Sequence, residues 1–118
     1  MVNEFAPDFS EYIILDELVK LLEVQKEGTT YSQLFRRVAA TRKEKYKLAT
    51  LPGTFSKKIR ELEENKCIFL VRSHPRTFIT LANDSLKDLV HAYFRVRKDS
   101  QIKSVVEKNH EIQRELRQ

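Results

Sequence analysis

The sequence predicts a mainly α-helical fold carrying one small β-hairpin, an α+β class. Three observations carry that expectation. Apolar residues recur at helical spacing through most of the 118 residues, one central stretch changes to two β-branched and aromatic runs around a proline, and only two glycines and three prolines interrupt the chain. A chain of this length buries one core, so a compact body over residues 1–83 and a helical extension over 84–118 are expected.

The first helix is expected over Ser10 to Lys26, where Ile13, Ile14, Leu18, Leu21 and Leu22 share a face and Asp8 or Ser10 supplies the cap. It reads as scaffold. Glu27-Gly28-Thr29 ends it, and Thr30-Tyr31 can pair as a short edge strand. Ser32 to Ala39 then gives a second helix burying Leu34, Phe35 and Val38, with Arg36 and Arg37 on its outer side.

Residues 40–53 are too many for the three- or four-residue turn of a minimal helix-turn-helix. Either the second helix continues or an extra helical turn intervenes, with Tyr46, Leu48 and Leu51 expected to pack inward. Arg42, Lys43, Lys45 and Lys47 then form a basic surface ahead of the next helix.

That next helix follows the Pro52-Gly53 break, with Thr54 as its expected N-cap and Phe55, Ile59 and Leu62 as its apolar stripe. Ser56, Lys57 and Arg60 point away from the stripe and Lys58 lies on its flank. Lysines early and Glu61, Glu63 and Glu64 late reverse the order a helix dipole favours, at about 0.3 to 1 kcal/mol each before screening. A phosphate at the helix N-terminus would offset this, because its N–H groups and nearby cations bind phosphate oxygens. A solvated face whose charges carry no meaning is the competing reading.

Asn65 stands where a left-handed residue ends many helices. Cys67 to Val71 then reads as a strand, Arg72 to Arg76 as a turn marked by Pro75, and Thr77 to Leu81 as a returning strand, giving a hairpin with Arg72, His74 and Arg76 at a basic tip. Beyond it, Asp84 or Ser85 can cap a helix carrying Leu86, Leu89, Val90, Tyr93 and Phe94. From Ile102 the register changes: Ile102, Val105, Asn109, Ile112 and Leu116 recur at alternating spacings of three and four, a short heptad seam with Asn109 at an a-like position.

Charge is unevenly placed. Arg36 to Arg60 holds nine basic residues against the single acid Glu44, a regional charge of +8, whereas residues 1–35 carry −5; the whole chain is +5. A localised basic surface attracts a polyanion, and the acidic end keeps the opposite face away from it. Membrane binding is disfavoured by the lack of one long amphipathic helix with an aromatic face, and RNA binding by the absence of an aromatic strand motif or Gly-rich clamp.

The single cysteine excludes an intramolecular disulfide and a multi-cysteine metal site, and Cys67 reads as a small buried hydrophobe. His74, His91 and His110 are scattered without ligand spacing. There is no phosphate-binding glycine loop and no nucleophile–base pair at a familiar spacing, so a non-enzymatic protein without metal or cofactor is expected, and no small-molecule ligand is inferred. No apolar run approaches the ~20 residues of a membrane span and no signal pattern opens the chain, so a cytoplasmic, nucleoid-associated place is expected.

Thr54 to Leu81 resembles the recognition helix and wing of winged helix-turn-helix regulators. The run Ser56 to Ile68 is similar to the helix-then-strand signature of MarR-like, PadR-like and small archaeal leucine-responsive-type families, with Asn65 where those families often carry Gly; Phe78 to Leu81 resembles their second wing strand, with Asn83-Asp84 where a Gly often follows. The likeness covers roughly residues 10 to 95 and extends to compact archaeal and viral transcription regulators. It implies a winged helix-turn-helix with a C-terminal dimerisation helix, acting as a sequence-preferring double-stranded DNA-binding homodimer. Ser56, Lys57 and Arg60 would enter the major groove, Thr54 and Lys58 would touch phosphates, and Arg36, Arg37, Arg42, Lys43, Lys45 and Lys47 would grip backbone. Arg72, His74 and Arg76 would reach flanking phosphate or the minor groove, and Leu89, Tyr93, Ile102, Val105, Asn109, Ile112 and Leu116 would form the dimer seam. A DNA-coating architectural or partition (centromere-binding) protein of the same fold is the alternative.

Overall fold

A computed structural model describes residues 6–73 and 75–98. His74 and the seam residues Ile102, Val105, Asn109, Ile112 and Leu116 lie outside the described residues. The element order is α1 (Phe9–Val24), β1 (Thr29–Thr30), α2 (Tyr31–Tyr46), α3 (Pro52–Glu64), β2 (Ile68–Ser73) and β3 (Arg76–Leu81), followed by helical residues 85–98, here α4. The protein is therefore mainly helical with a three-stranded antiparallel sheet, strand order β1-β3-β2.

α1 starts at a capping box. The Asp8 carboxylate accepts the Glu11 amide at 2.8 Å, and the Glu11 carboxylate accepts the Asp8 amide at 3.2 Å. After α1, Gly28 takes φ +127°, and a side chain there would press on the Ile79 carbonyl oxygen at 3.2 Å, so glycine lets β1 lie against β3. β1 pairs Thr29 with Ile79 and Thr30 with Phe78.

Tyr31 is not a strand residue. A second capping box, Thr30 with Gln33, makes it the first residue of α2. Of the two expectations for residues 40–53, continuation holds: α2 runs to Tyr46 and ends on Lys47 in the left-handed region, φ 57°, with the Leu48 amide returning to the Arg42 carbonyl. Tyr46 packs edge-on against Phe9, centroids 5.0 Å apart. Leu48 and Leu51 do not pack inward, being 42% and 65% exposed, because the chain between α2 and α3 runs extended over the surface.

α3 starts three residues earlier than expected from a Thr54 cap. Leu51 is its N-cap and Pro52 occupies the first turn, where proline's fixed φ fits and its missing N–H costs nothing. At the other end it is Lys66, φ 59°, and not Asn65, that adopts the left-handed turn. The Cys67 amide reaches the Leu62 carbonyl and the Lys66 amide the Glu63 carbonyl, closing a Schellman motif. The strands are longer and the turn tighter than expected: β2 and β3 pair in register from Ile68 with Leu81 to Ser73 with Arg76. α4 is capped by Asn83, whose side chain accepts the Ser85 amide at 3.0 Å.

The core gathers Ile13, Ile14 and Leu18 of α1, Leu34 and Val38 of α2, Phe55, Ile59 and Leu62 of α3, Ile68 and Ile79 of the sheet and Val90 of α4; Cys67 is buried beside them. Tyr93 of α4 stacks on Tyr12 of α1 with centroids 3.8 Å apart, so the ring assigned to the dimer seam is engaged within the chain. No helix among the described residues is long and apolar enough to cross a membrane.

Candidate nucleic-acid interface

The sequence-predicted cations divide into two groups. Those of the first group are held by carboxylates from elements distant in sequence. Arg37 donates from Nε to Glu17 at 3.3 Å, and Glu17, only 2% exposed, also accepts the Thr41 hydroxyl at 2.6 Å. This couples α1 to α2. Lys58 bonds Asp8 and lies 3.9 Å from Glu11, fastening α3 to the start of α1.

The electrostatics of that second contact are internally consistent. The bond from Asp8 holds the Lys58 ammonium above its ordinary pKa. Burial pushes the Asp8 carboxyl up, but the Lys58 bond and the Glu11 amide outweigh it and leave the group below its ordinary range. Burial pushes the Glu11 carboxyl above its ordinary range, and one of its oxygens has no hydrogen-bond partner among the described residues.

Arg72 is also engaged, donating to both oxygens of Glu63 at 3.1 and 3.3 Å and tying β2 to α3. Arg42 is half-buried, its Nε without a hydrogen-bond partner among the described residues. Arg37, Lys58 and Arg72 are therefore each engaged by a carboxylate of the same chain.

The second group is exposed and has no ion-pair partner among the described residues: Arg36, Lys43, Lys45, Lys47, Lys57, Arg60 and Arg76. Helical spacing places Ser32, Arg36, Ala39 and Lys43 on one stripe of α2, and Lys43 and Lys47 line a shared cleft with Thr50. Lys45, two residues beyond Lys43, falls on another side of the helix. On α3, Gly53, Lys57 and Arg60 lie opposite the buried Phe55, Ile59 and Leu62, with exposed Thr54 and Ser56 flanking them.

Tyr31 lies at the centre of this surface and was not among the residues sequence reasoning selected. It borders three adjoining clefts: one toward Arg36 and Arg76, one toward Arg60, Glu63 and Arg72, and one toward Phe35 and Pro52. Its ring packs edge-on against Phe55, centroids 5.2 Å apart, and its hydroxyl lies 2.5 Å from that of Ser56. The signal that could have found it is the Thr30-to-Gln33 capping box, which fixes Tyr31 as a first helical residue. The resulting surface is concave, bounded by α2, the first half of α3 and the β2–β3 hairpin.

The N-terminus of α3 suits a negative partner. Leu51 offers no side-chain cap, no acid lies in the first turn, and a Cβ at Gly53 would meet nothing within 4 Å. Among the described residues no three His, Cys, Asp or Glu side chains converge as a metal site. Comparison of the sequence with protein-family models and with curated proteins finds no match.

Proposed function

We propose that the chain binds double-stranded DNA as a winged helix-turn-helix, with α2 as positioning helix, α3 as recognition helix and the β2–β3 hairpin as wing, and that it acts as a dimeric, sequence-preferring transcription regulator. The observation that carries the reading is the concave surface around Tyr31, where Arg36, Arg60 and Arg76 lack internal partners among the described residues while neighbouring cations are paired. In this reading Lys57, Arg60 and Ser56 face base edges in the major groove, where arginine can pair with guanine in bidentate fashion. Arg36, Lys43 and Lys47 follow the backbone along α2.

The dimer part of the reading has separate support. Leu89 and Val96 of α4, seven residues apart and so on one helical face, are 45% and 64% exposed. A two-fold pair would place two recognition helices on one face of the duplex, about one helical turn apart.

The test is a gel-shift and footprint series with DNA from around the protein's own gene, random duplex and duplex RNA, at several salt concentrations, alongside sedimentation. A bounded footprint at low protein concentration supports a regulator, and continuous spreading would assign the coating or partition role instead. Absence of any shift on duplex DNA, or tighter binding to duplex RNA, would overturn the DNA reading. A monomer at concentrations that shift DNA would overturn the dimer.

A further inference from the structure

We infer that Arg36 of α2 and Arg76 of β3 grip the same phosphodiester of the duplex backbone; this rests on the DNA-binding reading and specifies how its positioning helix and wing cooperate. Both arginines line one cleft of 470 Å³, together with Tyr31, Ser32 and Thr77. That volume is within the range of sites for ligands larger than a lone anion, and suits a phosphate with its flanking sugars.

Charge selects this cleft over its neighbour. The adjoining cleft beside α3 contains the Glu63 carboxylate with Arg72 bound to it, whereas no Asp or Glu lines the one between Arg36 and Arg76. Neither arginine has an ion-pair partner among the described residues, although Arg37, the next residue of α2, and Arg72, in the same hairpin, are each held by a glutamate. Ser32 and Thr77 add hydroxyls that can donate to phosphate oxygens.

The backbone keeps the two arginines in place. β1 pairs Thr30 with Phe78, so α2 begins one residue after a position bonded to β3, two residues along from Arg76. The start of α2 and the middle of β3, two residues from Arg76, are therefore joined, and a phosphate bound between them would fix the register of the protein on the duplex. The backbone beneath the site is held by this pairing, so binding orders the two arginine side chains and not a loose arm.

The experiment uses the duplex that the wild-type protein protects, rebuilt with a single uncharged methylphosphonate at each backbone position in turn. R36A and R76A are measured on the same set; both replace exposed side chains, and an unchanged melting temperature shows that they fold. A shared phosphate predicts that each variant binds the unmodified duplex about tenfold more weakly and the double variant R36A/R76A about a hundredfold, with one position per half-site where neutralisation costs wild type about a hundredfold, each single variant about tenfold and the double variant less than about twofold. Arginines that become insensitive to different positions, or losses that multiply at every position, would overturn the shared site while leaving DNA binding intact. Failure of the wild-type protein to bind duplex DNA would instead remove the reading on which the site rests.

Discussion

In the proposed DNA-binding reading, removing Arg72 distinguishes a hairpin arginine that touches DNA from one that neutralises a carboxylate of α3. Arg72 donates two hydrogen bonds to Glu63, whose carboxylate shares a cleft with Ser56 and Arg60. With side-chain exposures of 66% and 30%, the pair contributes only about 0.2 to 1 kcal/mol to folding, so R72A should fold. It leaves the Glu63 carboxylate without that partner on the surface proposed to meet the duplex. A unit charge about 7 to 8 Å from a phosphate costs about 0.5 kcal/mol in water-like surroundings and about 2 kcal/mol near a protein surface. The expected result is a weakening of about two- to thirtyfold by fluorescence anisotropy, on specific and random duplex alike. The double variant R72A/E63Q removes the charge with its partner and should return to within about twofold of wild type. If the double variant stays as weak as R72A, with the salt slope lowered by about one unit in both, Arg72 contacts phosphate directly and the reasoning fails.

Four further outcomes follow from the same contacts. Glu17→Ala leaves Arg37 and Thr41 without their shared buried acceptor, and chemical denaturation should show a loss of about 2 to 4 kcal/mol; a loss below about 0.5 kcal/mol would mean that the pair does not couple α1 to α2. Glu11→Gln keeps an acceptor for the Asp8 amide while removing a buried charge; because folding raises the Glu11 pKa, its charge opposes folding at neutral pH and less so as pH falls through the raised value. The variant should therefore melt above wild type at pH 7, with the gain shrinking in acid, and melting below wild type at pH 7 would show that the Lys58 contact outweighs burial. Gly53→Ala should gain up to about 1 kcal/mol of stability, since its Cβ meets nothing, yet bind DNA more weakly if the backbone approaches the duplex there; unchanged affinity would remove that close approach. Lys57→Ala should lower the salt slope by about one unit at constant melting temperature, whereas Lys58→Ala should lower the melting temperature and leave the slope alone, a contrast that equal slopes would abolish.

The parts of the fold legible in the sequence are those governed by local periodicity. The stripes Phe55-Ile59-Leu62 and Leu34-Val38, the two strands and the buried Cys67 all follow from residue type and spacing. Boundaries set by competing caps were less legible. Thr54 looked like a cap because its side chain can serve as one, but Pro52 had already fixed the first turn of α3; Asn65 favours the left-handed region, but the Schellman closure falls on Lys66. Leu48 and Leu51 fit an inward pattern by hydropathy alone, which says nothing of whether a covering element exists. Least legible was the engagement of individual charges. Asp8 meets Lys58 across fifty residues and Glu17 meets Arg37 across twenty, so a helix-by-helix reading counted Lys58 and Arg37 as available for phosphate.

This bears on the reversed charge order of α3, from which the sequence argued for an external anion. Two members of that pattern are balanced inside the molecule: Lys58 by Asp8 and Glu11, and Glu63 by Arg72. They no longer require a phosphate. What remains is narrower, namely Lys57 and Arg60 without internal partners among the described residues, next to an N-terminus with neither a side-chain cap nor an acid in its first turn. Arg36 of α2, Arg60 of α3 and Arg76 of β3 border the same concave surface, so the case for a polyanion rests on their convergence around Tyr31 and not on the order of charges along one helix. Internal pairing also gives the paired cations a use independent of any ligand: Lys58 ties α3 to the start of α1, and Arg72 offsets the Glu63 carboxylate between the hairpin and α3. Substituting Lys58 should thus lower stability while leaving the number of phosphate contacts unchanged, and substituting an unpaired cation should remove a single contact at constant stability.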